Sequence, residues 1–146
     1  MQGTVLALAQ RPVKGAEMVI CDHLKISRTD GVIGDHGTSG KRQVSLLDEA
    51  SWNIVCESLG QDLPWTIRRS NILIQGIDLP GLVGQNVHLG TAEIKVLGEV
   101  TPCHLMDAVK KGLKDALAIE WRGGVYGRGI ESGVVQIGDK ISPIER

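Results

Sequence analysis

The residue with the most distinctive chemical setting is Cys103, which follows Pro102 between a strand-like segment and a helix-like one. Residues 92–100 alternate apolar and polar side chains, and from Leu105 onward apolar residues recur at helical spacing. Cys103 is therefore predicted at or just before a helix N-terminus, where free N–H groups and the helix dipole favour a thiolate. A thiolate can ligate a soft metal, carry sulfur or act as a nucleophile. The alternative is a small buried hydrophobic residue, the usual role of a free cysteine.

A glycine-rich segment, residues 31–42, carries Asp35, His36, Lys41 and Arg42. Glycine lets backbone N–H groups approach an anion closely, and lysine and arginine add positive charge. The segment is not a P-loop, because no Gly-Lys-Ser/Thr follows at the required spacing. It is predicted either as part of an anion site or as a surface loop with solvated charges.

Further basic residues precede two predicted strands. Arg68 and Arg69 come just before Asn71 and an apolar strand, and Arg122 precedes a second strand. Adjacent residues entering a strand point to opposite faces, so at most one of these arginines is expected at a given site. The alternative for Arg68 is an exposed position at a solvated strand end. A guanidinium matches the geometry of phosphate. Together these residues allow an anionic, phosphate-bearing ligand near the cysteine, and their spacing alone does not show that they converge.

Composition excludes several classes of function. The formal net charge of −1 and the scarcity of aromatic residues (three Trp, one Tyr, no Phe) argue against nucleic acid as a partner. Cys21, Cys56 and Cys103 form no C-x-x-C pair, and their odd number argues against a disulfide framework. No signal peptide or membrane span is evident, so a cytoplasmic protein with no membrane partner is predicted. Cys21, Cys56 and Trp52 are predicted to serve in packing.

The elements that must position these residues are mostly short strands bounded by glycine turns. Strands are predicted at 4–9, 17–26, 42–46, 71–75, 86–89, 92–100, 124–130 and 133–144. Helices are predicted at 47–59, with Ser45 and Asp48 in a capping box and Gly60 as the stop, and at 104–118. Because many strands and two helices do not alternate as βαβ units, the chain is predicted to be mainly β. We expect one domain over residues 1–146, built as a β-barrel decorated by helices.

The order and spacing of short motifs resemble the MOSC domain, named for the C-terminal part of molybdenum cofactor sulfurase. The resemblance spans residues 3–144 and is closest to small stand-alone members of that family. The motifs are 31–36 (GVIGDH), 42–47 (RQVSLL), 69–72 (RSNI), 76–79 (GIDL), 82–84 (LVG), 89–90 (LG), 101–103 (TPC), 122–128 (RGGVYGR) and 133–139 (GVVQIGD).

The resemblance implies a distorted closed β-barrel with two or more flanking helices, similar to the barrel of pyruvate kinase. It also implies two roles. Some relatives bind a pyranopterin molybdenum cofactor and reduce N-hydroxylated compounds. The family was also proposed to carry sulfur, as a persulfide received from a pyridoxal-phosphate-dependent cysteine desulfurase. The reductase role implies a small-molecule substrate and a separate electron-transfer protein. The sulfur-carrier role implies a sulfur-donor protein, the cysteine desulfurase. A third hypothesis is a non-catalytic barrel that retains the fold of the family but not its chemistry.

Carried over by motif, Cys103 becomes the molybdenum ligand or the sulfur-bearing thiol. Arg42, Arg69 and Asn71 become contacts to the pterin and its phosphate. Reductase relatives often have a second cysteine where this chain has Met106. The molybdenum-dependent reductase is the preferred hypothesis, because a bound phosphate gives the basic residues a role that sulfur transfer does not.

Overall fold

The computed structural model describes residues 1–13, 15–36 and 43–145. Its strands are β1 (Gly3–Gln10), β2 (Val19–Cys21), β3 (His23–Ser27), β4 (Gly31–Val32), β5 (Val44–Asp48), β6 (Ile72–Gln75), β7 (Asn86–Leu89), β8 (Ala92–Glu99), β9 (Val125–Glu131), β10 (Gly133–Gln136) and β11 (Lys140–Pro143). The helices are α1 (Glu49–Leu59), α2 (Leu105–Val109) and α3 (Leu113–Ala118), with single 3-10 turns at Trp65–Arg68, Pro80–Leu82 and Ile119–Trp121. None of the helices in these ranges is long and apolar enough to cross a membrane.

Seven strands close into a barrel in the order β11, β7, β8, β9, β5, β6 and β1, because β1 also pairs with β11. The β5–β6 pairing is parallel and the other barrel pairings are antiparallel. Strand β2 extends the sheet beyond β1, and β3 lies between β10 and β4 in a separate small sheet. The predicted mainly β fold with a closed barrel is confirmed.

Two hydrophobic clusters lie on opposite faces of the same strands. Leu46 and Ile72 point into the barrel, whereas Leu47 and Leu73 pack outward with Trp52 and the other buried residues of the helices. Neighbouring residues of a strand face opposite sides, so β5 and β6 are apolar on both faces. The outer cluster holds α1 and α3 against the barrel wall, which fixes the segment between β8 and α3 that contains Cys103.

The first helix differs from its prediction at the start and agrees at the end. Asp48 is the N-cap: its Oδ2 accepts hydrogen bonds from the backbone N of Ser51 (3.0 Å) and from Ser51 Oγ (2.8 Å). Ser45 takes no part in a capping box, because it is a strand residue of β5 that hydrogen-bonds with Asn71. Gly60 ends the helix in the left-handed conformation (φ 66°), as predicted.

Three predicted elements are each divided in two. The helix predicted at 104–118 breaks between α2 and α3, because Lys110 is extended (φ −154°, ψ 126°) and Gly112 adopts φ 88°. The strand predicted at 17–26 becomes β2 and β3, which belong to different sheets, and 133–144 becomes β10 and β11. The apolar periodicity of each segment continues across its break, so periodicity alone predicted single elements.

Candidate functional site

A cavity of about 390 Å³ opens at one end of the barrel and collects residues from seven parts of the chain. Strands β5 and β9 supply part of its wall. The other contributions come from the ends of β1 and β8, from the segment after β4, from the 3-10 turn Trp65–Arg68 with the residues that follow it, and from α2. The lining residues are Arg11, Asp35, His36, Ser45, Ile67, Arg68, Arg69, Ser70, Asn71, Val100, Cys103, Leu105, Met106, Val109 and Tyr126.

Cys103 is exposed and lines this cavity together with Arg69. It lies between β8 and α2, as the sequence pattern predicted, and its carbonyl accepts the backbone N–H of Met106 at 3.0 Å. Helix α2 is only five residues long, so the expected helix-dipole effect on the thiol is small. The chemical interest of Cys103 rests on its accessibility inside a cavity that contains guanidinium groups. The other two cysteines pack against hydrophobic clusters, as predicted.

The two adjacent arginines occupy different environments, and the prediction for Arg68 is wrong. Arg68 ends the 3-10 turn and is 8% exposed, rather than lying on a solvated strand end. Its Nη2 donates to the carbonyl of Val100 at 2.7 Å, and its Nε donates to the carbonyl of Gly123 at 3.1 Å. Arg69 is exposed and adopts the left-handed conformation (φ 62°, ψ 30°) just before β6. A turn, rather than a strand, explains why both side chains line the same cavity.

Arg11 is a cavity residue that the sequence analysis missed. It follows β1, and no local motif marks it. Strand β1 pairs with β6, and this pairing brings Arg11 to the same cavity as Asn71. Within the described residues, neither the Arg11 nor the Arg69 guanidinium has a hydrogen-bond or ion-pair partner. Two such cations in one cavity favour an anionic ligand.

Asn71 is buried and uses its side-chain amide inside the protein. Its Oδ1 accepts hydrogen bonds from the backbone N and the Oγ of Ser45, both at 3.1 Å. Its Nδ2 donates to the carbonyl of Ala9 at 3.2 Å, and the amide also hydrogen-bonds with the Asp35 carboxyl. A primary amide has two hydrogen-bond donors and two acceptor sites, so these bonds satisfy all of its hydrogen-bonding groups. The geometry favours Asn71 as a residue that joins β1, β5 and β6 beneath the cavity. Direct contact with a pterin stays a prediction.

Asp35 and His36 both line the cavity, as the sequence-based hypothesis required. Asp35 Oδ1 accepts a hydrogen bond from the backbone N of Arg11 at 2.6 Å. Burial raises the pKa of the Asp35 carboxyl to about 6, and the Asn71 hydrogen bond and the charge of His36 oppose this only in part. Asp35 can therefore hold or release a proton near neutral pH.

Of the remaining predicted site residues, only Arg122 lies in the described ranges. Lys41 and Arg42 lie outside the residues that the structure describes, so their roles stay predictions. Arg122 is half-buried next to Gly123 and is absent from the cavity lining. It follows the 3-10 turn Ile119–Trp121 and precedes Gly123, whose carbonyl accepts the Arg68 Nε hydrogen bond.

The raised pKa of Asp35 predicts a specific dependence of stability on pH. An ordinary aspartate ionises near pH 4, whereas folded Asp35 ionises near pH 6. Between these values the folded protein binds the proton more tightly than the unfolded chain, so Asp35 lowers stability progressively as pH rises from 4 to 6. Asp35→Asn removes this contribution. After allowance for the partial exposure of Asp35, the stability of the variant relative to the native protein should increase by about 1 kcal/mol from pH 4 to pH 7.5.

Urea unfolding of both proteins across this pH range measures the effect. The comparison cancels titrating groups that do not interact with residue 35, and any constant cost of the amide substitution. If the free energies of unfolding of the two proteins differ by the same amount at pH 4 and at pH 7.5, the prediction is contradicted.

The left-handed backbone of Arg69 predicts that glycine is tolerated better than alanine at this position. A Cβ in this conformation costs about 1–2 kcal/mol, partly offset by the greater freedom of glycine in the unfolded chain. Arg69→Gly should therefore be about 0.5 to 1 kcal/mol more stable than Arg69→Ala, although both remove the guanidinium. Urea denaturation measures the difference, and equal stabilities would argue against backbone strain at Arg69.

Comparison with known proteins identifies the fold and the family. The family model described as the MOSC domain matches residues 33–142. The crystal structure of YuaD from Bacillus subtilis superimposes with a TM-score of 0.79 at 20% identity, covering 97% of this chain and 94% of that one. YiiM from Escherichia coli gives a TM-score of 0.77 at 15% identity, covering 100% of this chain and 71% of that one. YiiM from Geobacillus stearothermophilus gives a TM-score of 0.74 at 15% identity, covering 99% and 76%.

At these identities the likeness to solved structures establishes the fold alone. No protein with a curated function matches the sequence significantly. The family model, in contrast, matches most of the chain and includes the segments that carry Asp35, Asn71 and Cys103. The chain therefore belongs to the MOSC domain family, which is associated in general with binding of the molybdenum cofactor.

Proposed function

We propose that this protein binds a molybdenum cofactor through Cys103 and reduces N-hydroxylated compounds. The observation that carries the proposal is the presence, in one cavity, of an exposed thiol and two guanidinium groups without partners among the described residues. Thiolates are preferred ligands of soft metals, and guanidinium groups bind phosphate. A volume of about 390 Å³ is also within the range of small-molecule and cofactor sites.

The donor set of the cavity fits this cofactor residue by residue. Cys103 Sγ would ligate the metal, and Arg11 and Arg69 would hold the cofactor phosphate by charge-assisted hydrogen bonds. Arg68 contributes a buried positive charge to the same wall, while its Nε and Nη2 remain bonded to backbone carbonyls. Asn71 keeps Ser45 and Asp35 in place below these groups. When bound, the cofactor supplies two-electron redox chemistry at the metal.

Asp35 gives the site a proton donor. Reduction of a hydroxylamine group consumes two electrons and two protons: R–NHOH becomes R–NH2, the N–O bond breaks and the oxygen leaves as water. The electrons must come from a separate donor protein. A carboxyl group with a pKa of about 6 is partly protonated near neutral pH and can donate to the departing hydroxyl oxygen. His36 follows Asp35 in the sequence, and its exposed side chain lines the same cavity.

Metal analysis tests this proposal most directly. Protein freshly purified from molybdate-supplied cells should contain one molybdenum and one pterin per chain. It should also reduce benzamidoxime to benzamidine with a reduced viologen as electron donor. Protein from cells grown without molybdate is the control and should lack both metal and activity. Protein that contains neither molybdenum nor pterin under the first condition would overturn the proposal.

A second candidate function, sulfur transfer, is favoured by the exposure of the apolar side chains beside Cys103. Leu105 is 59% exposed and Val109 is 51% exposed, so a partner protein could cover them while reaching the thiol. In this case the Cys103 thiolate attacks the outer sulfur of a desulfurase persulfide, and the desulfurase thiolate leaves. Mass spectrometry after incubation with a cysteine desulfurase and cysteine should then show one additional sulfur atom on Cys103. An unmodified thiol would count against this candidate.

A further inference from the structure

Tyr126 lines the cavity that contains Cys103, and the proposed reaction gives it no role. It is the only tyrosine in a sequence that has three tryptophans and no phenylalanine. It lies on β9, where its register partners are Ser45 on β5 and Gly98 on β8. Residues directly opposite each other in paired strands face the same side of the sheet. The Tyr126 side chain therefore lies on the cavity side of the barrel wall, between Ser45 and Gly98.

The ring of Tyr126 lies across Gly98 of the neighbouring strand. A Cβ added at Gly98 would be 3.3 Å from Tyr126 Cε1, 3.4 Å from Oη and 3.6 Å from Cζ. These three distances are similar, so the far part of the ring passes over Gly98 instead of directing a single atom at it. A glycine inside a strand often marks a place where another group approaches the backbone closely. Gly98 thus leaves room for the ring to lie along the sheet.

This orientation places the two sides of the ring in different surroundings. One side lies against the backbone of β8 at Gly98. Tyr126 is half-buried and lines the cavity, so the other side of the ring faces the cavity. An aromatic ring that is supported in this way offers a surface on which a planar ring can stack. No tryptophan is among the described residues that line this cavity.

We infer that Tyr126 is a stacking surface for a planar conjugated ring of the bound ligand, while Arg11 and Arg69 bind the phosphate of the same molecule. The inference rests on the proposed cofactor function and identifies the planar ring as the pterin. It narrows the ligand from any anion to a phosphate ester that carries a flat heterocycle. A sugar phosphate without such a ring has only the arginines to bind it. Stacking of a heterocycle on an aromatic side chain strengthens binding by about tenfold.

Guanosine monophosphate (GMP) and ribose 5-phosphate test the inference in protein free of metal and pterin, because they share a sugar phosphate and differ in the ring. Guanine also contains the amino-oxo-pyrimidine ring of a pterin. Calorimetry on the native protein should show about tenfold tighter binding of GMP than of ribose 5-phosphate. In protein labelled with fluorotyrosine, the single fluorine resonance reports on Tyr126 alone. It should shift clearly with GMP and much less with ribose 5-phosphate.

Two substitutions at Tyr126 separate the ring from its hydroxyl group. Tyr126→Phe keeps the ring and should keep the preference for GMP within about twofold, whereas Tyr126→Leu should bind the two probes equally. Trp121→Leu is the matched control, because Trp121 is 37% exposed and is absent from the lining of this cavity. The loss of that ring should change neither affinity. Urea unfolding of each variant verifies that it is folded under the binding conditions.

Gly98→Ala decides the question if Tyr126→Leu does not fold. The added Cβ, 3.3 Å from the ring, displaces the ring without altering the Tyr126 side chain itself. The preference for GMP should fall in this variant, while the affinity for ribose 5-phosphate should stay within about twofold of the native value. An unreduced preference would overturn the inference.

The inference and the proposed function fail in different ways. Equal affinities for GMP and ribose 5-phosphate in the native protein would overturn the inference, as would no binding of either, or a preference that survives in Tyr126→Leu. If protein from molybdate-supplied cells contains neither molybdenum nor pterin, but the GMP preference still follows the Tyr126 ring, the stacking site stands and the proposed function fails. In protein that does contain the cofactor, Tyr126→Leu should lower the pterin content per chain about tenfold and Tyr126→Phe should preserve it.

Discussion

Cys103→Ser is expected to abolish molybdenum retention and reductase activity while leaving the fold intact. A serine hydroxyl is a hard, protonated group and does not replace a thiolate as a ligand of a soft metal. We expect the molybdenum content and the turnover rate to fall by on the order of a hundredfold or more. Cys103 is exposed, and exposed positions tolerate such a small change, so the free energy of unfolding should change by less than about 0.5 kcal/mol.

The matched control is Cys21→Ser. Cys21 lies on β2, packs against the barrel cluster and is absent from the cavity lining. This variant should keep its molybdenum and its turnover. Metal content per chain, viologen-linked reduction of benzamidoxime and urea unfolding are measured on both. Full molybdenum content in Cys103→Ser would show that the cofactor is held without this thiol. Loss of persulfide formation with no effect on metal would instead support sulfur transfer.

The mainly β composition and the position of Cys103 between a strand and a helix could be predicted from the sequence because both depend on local patterns. Alternating residues in β8, apolar spacing in α2 and glycines at the turns are properties of neighbouring residues. The number of strands, their order and the closure of β1 on β11 depend instead on pairings between distant residues. Gly112 illustrates the limit within one element, because a helical pattern continues on both sides of it while its backbone adopts φ 88°.

The site was predictable only where a motif marks a residue. Asp35, Arg69 and Cys103 were chosen from local sequence and do line one cavity. Arg11 carries no motif and reaches the cavity because β1 pairs with β6. Asn71 was predicted as a ligand contact, but its partners Ser45 and Ala9 lie on strands far from it in sequence. Whether a polar side chain faces a ligand or its own protein is decided by such tertiary contacts.

Arg68 and Arg69 are adjacent in sequence, yet substituting them should affect different properties. Substitution of Arg68 should lower stability, whereas substitution of Arg69 should lower cofactor binding. The Arg68 guanidinium joins the end of β8, through the Val100 carbonyl, to the carbonyl of Gly123. Its Nη1 also lies 4.0 Å from Met106 Sδ, within three residues of Cys103. The packing is tight: a Cβ added at Gly123 would be 3.0 Å from Arg68 Nη2. Arg68 therefore fixes the segment on which Cys103 lies.

Arg68→Met is expected to lower the free energy of unfolding by about 2 to 3 kcal/mol, because two carbonyls lose charge-assisted hydrogen bonds and the relief of a buried charge compensates only partly. Arg69→Met removes an exposed side chain and should change stability by less than about 0.5 kcal/mol. The stability of Arg68→Lys should lie between those of the two methionine variants, since an ammonium cannot reproduce the planar fork that reaches both carbonyls.

Urea unfolding of the three variants, with molybdenum content measured in parallel, separates the roles. Under the proposed function, Arg69→Met should lose cofactor while remaining as stable as the native protein, because the exposed guanidinium makes no hydrogen bond or ion pair to the described residues. Arg68→Met should lose stability first, and its molybdenum content should recover at low temperature, where the weakened fold is still populated. Equal stability losses in Arg68→Met and Arg69→Met would contradict this division, because they would mean that burial and two backbone hydrogen bonds do not distinguish the neighbouring cations.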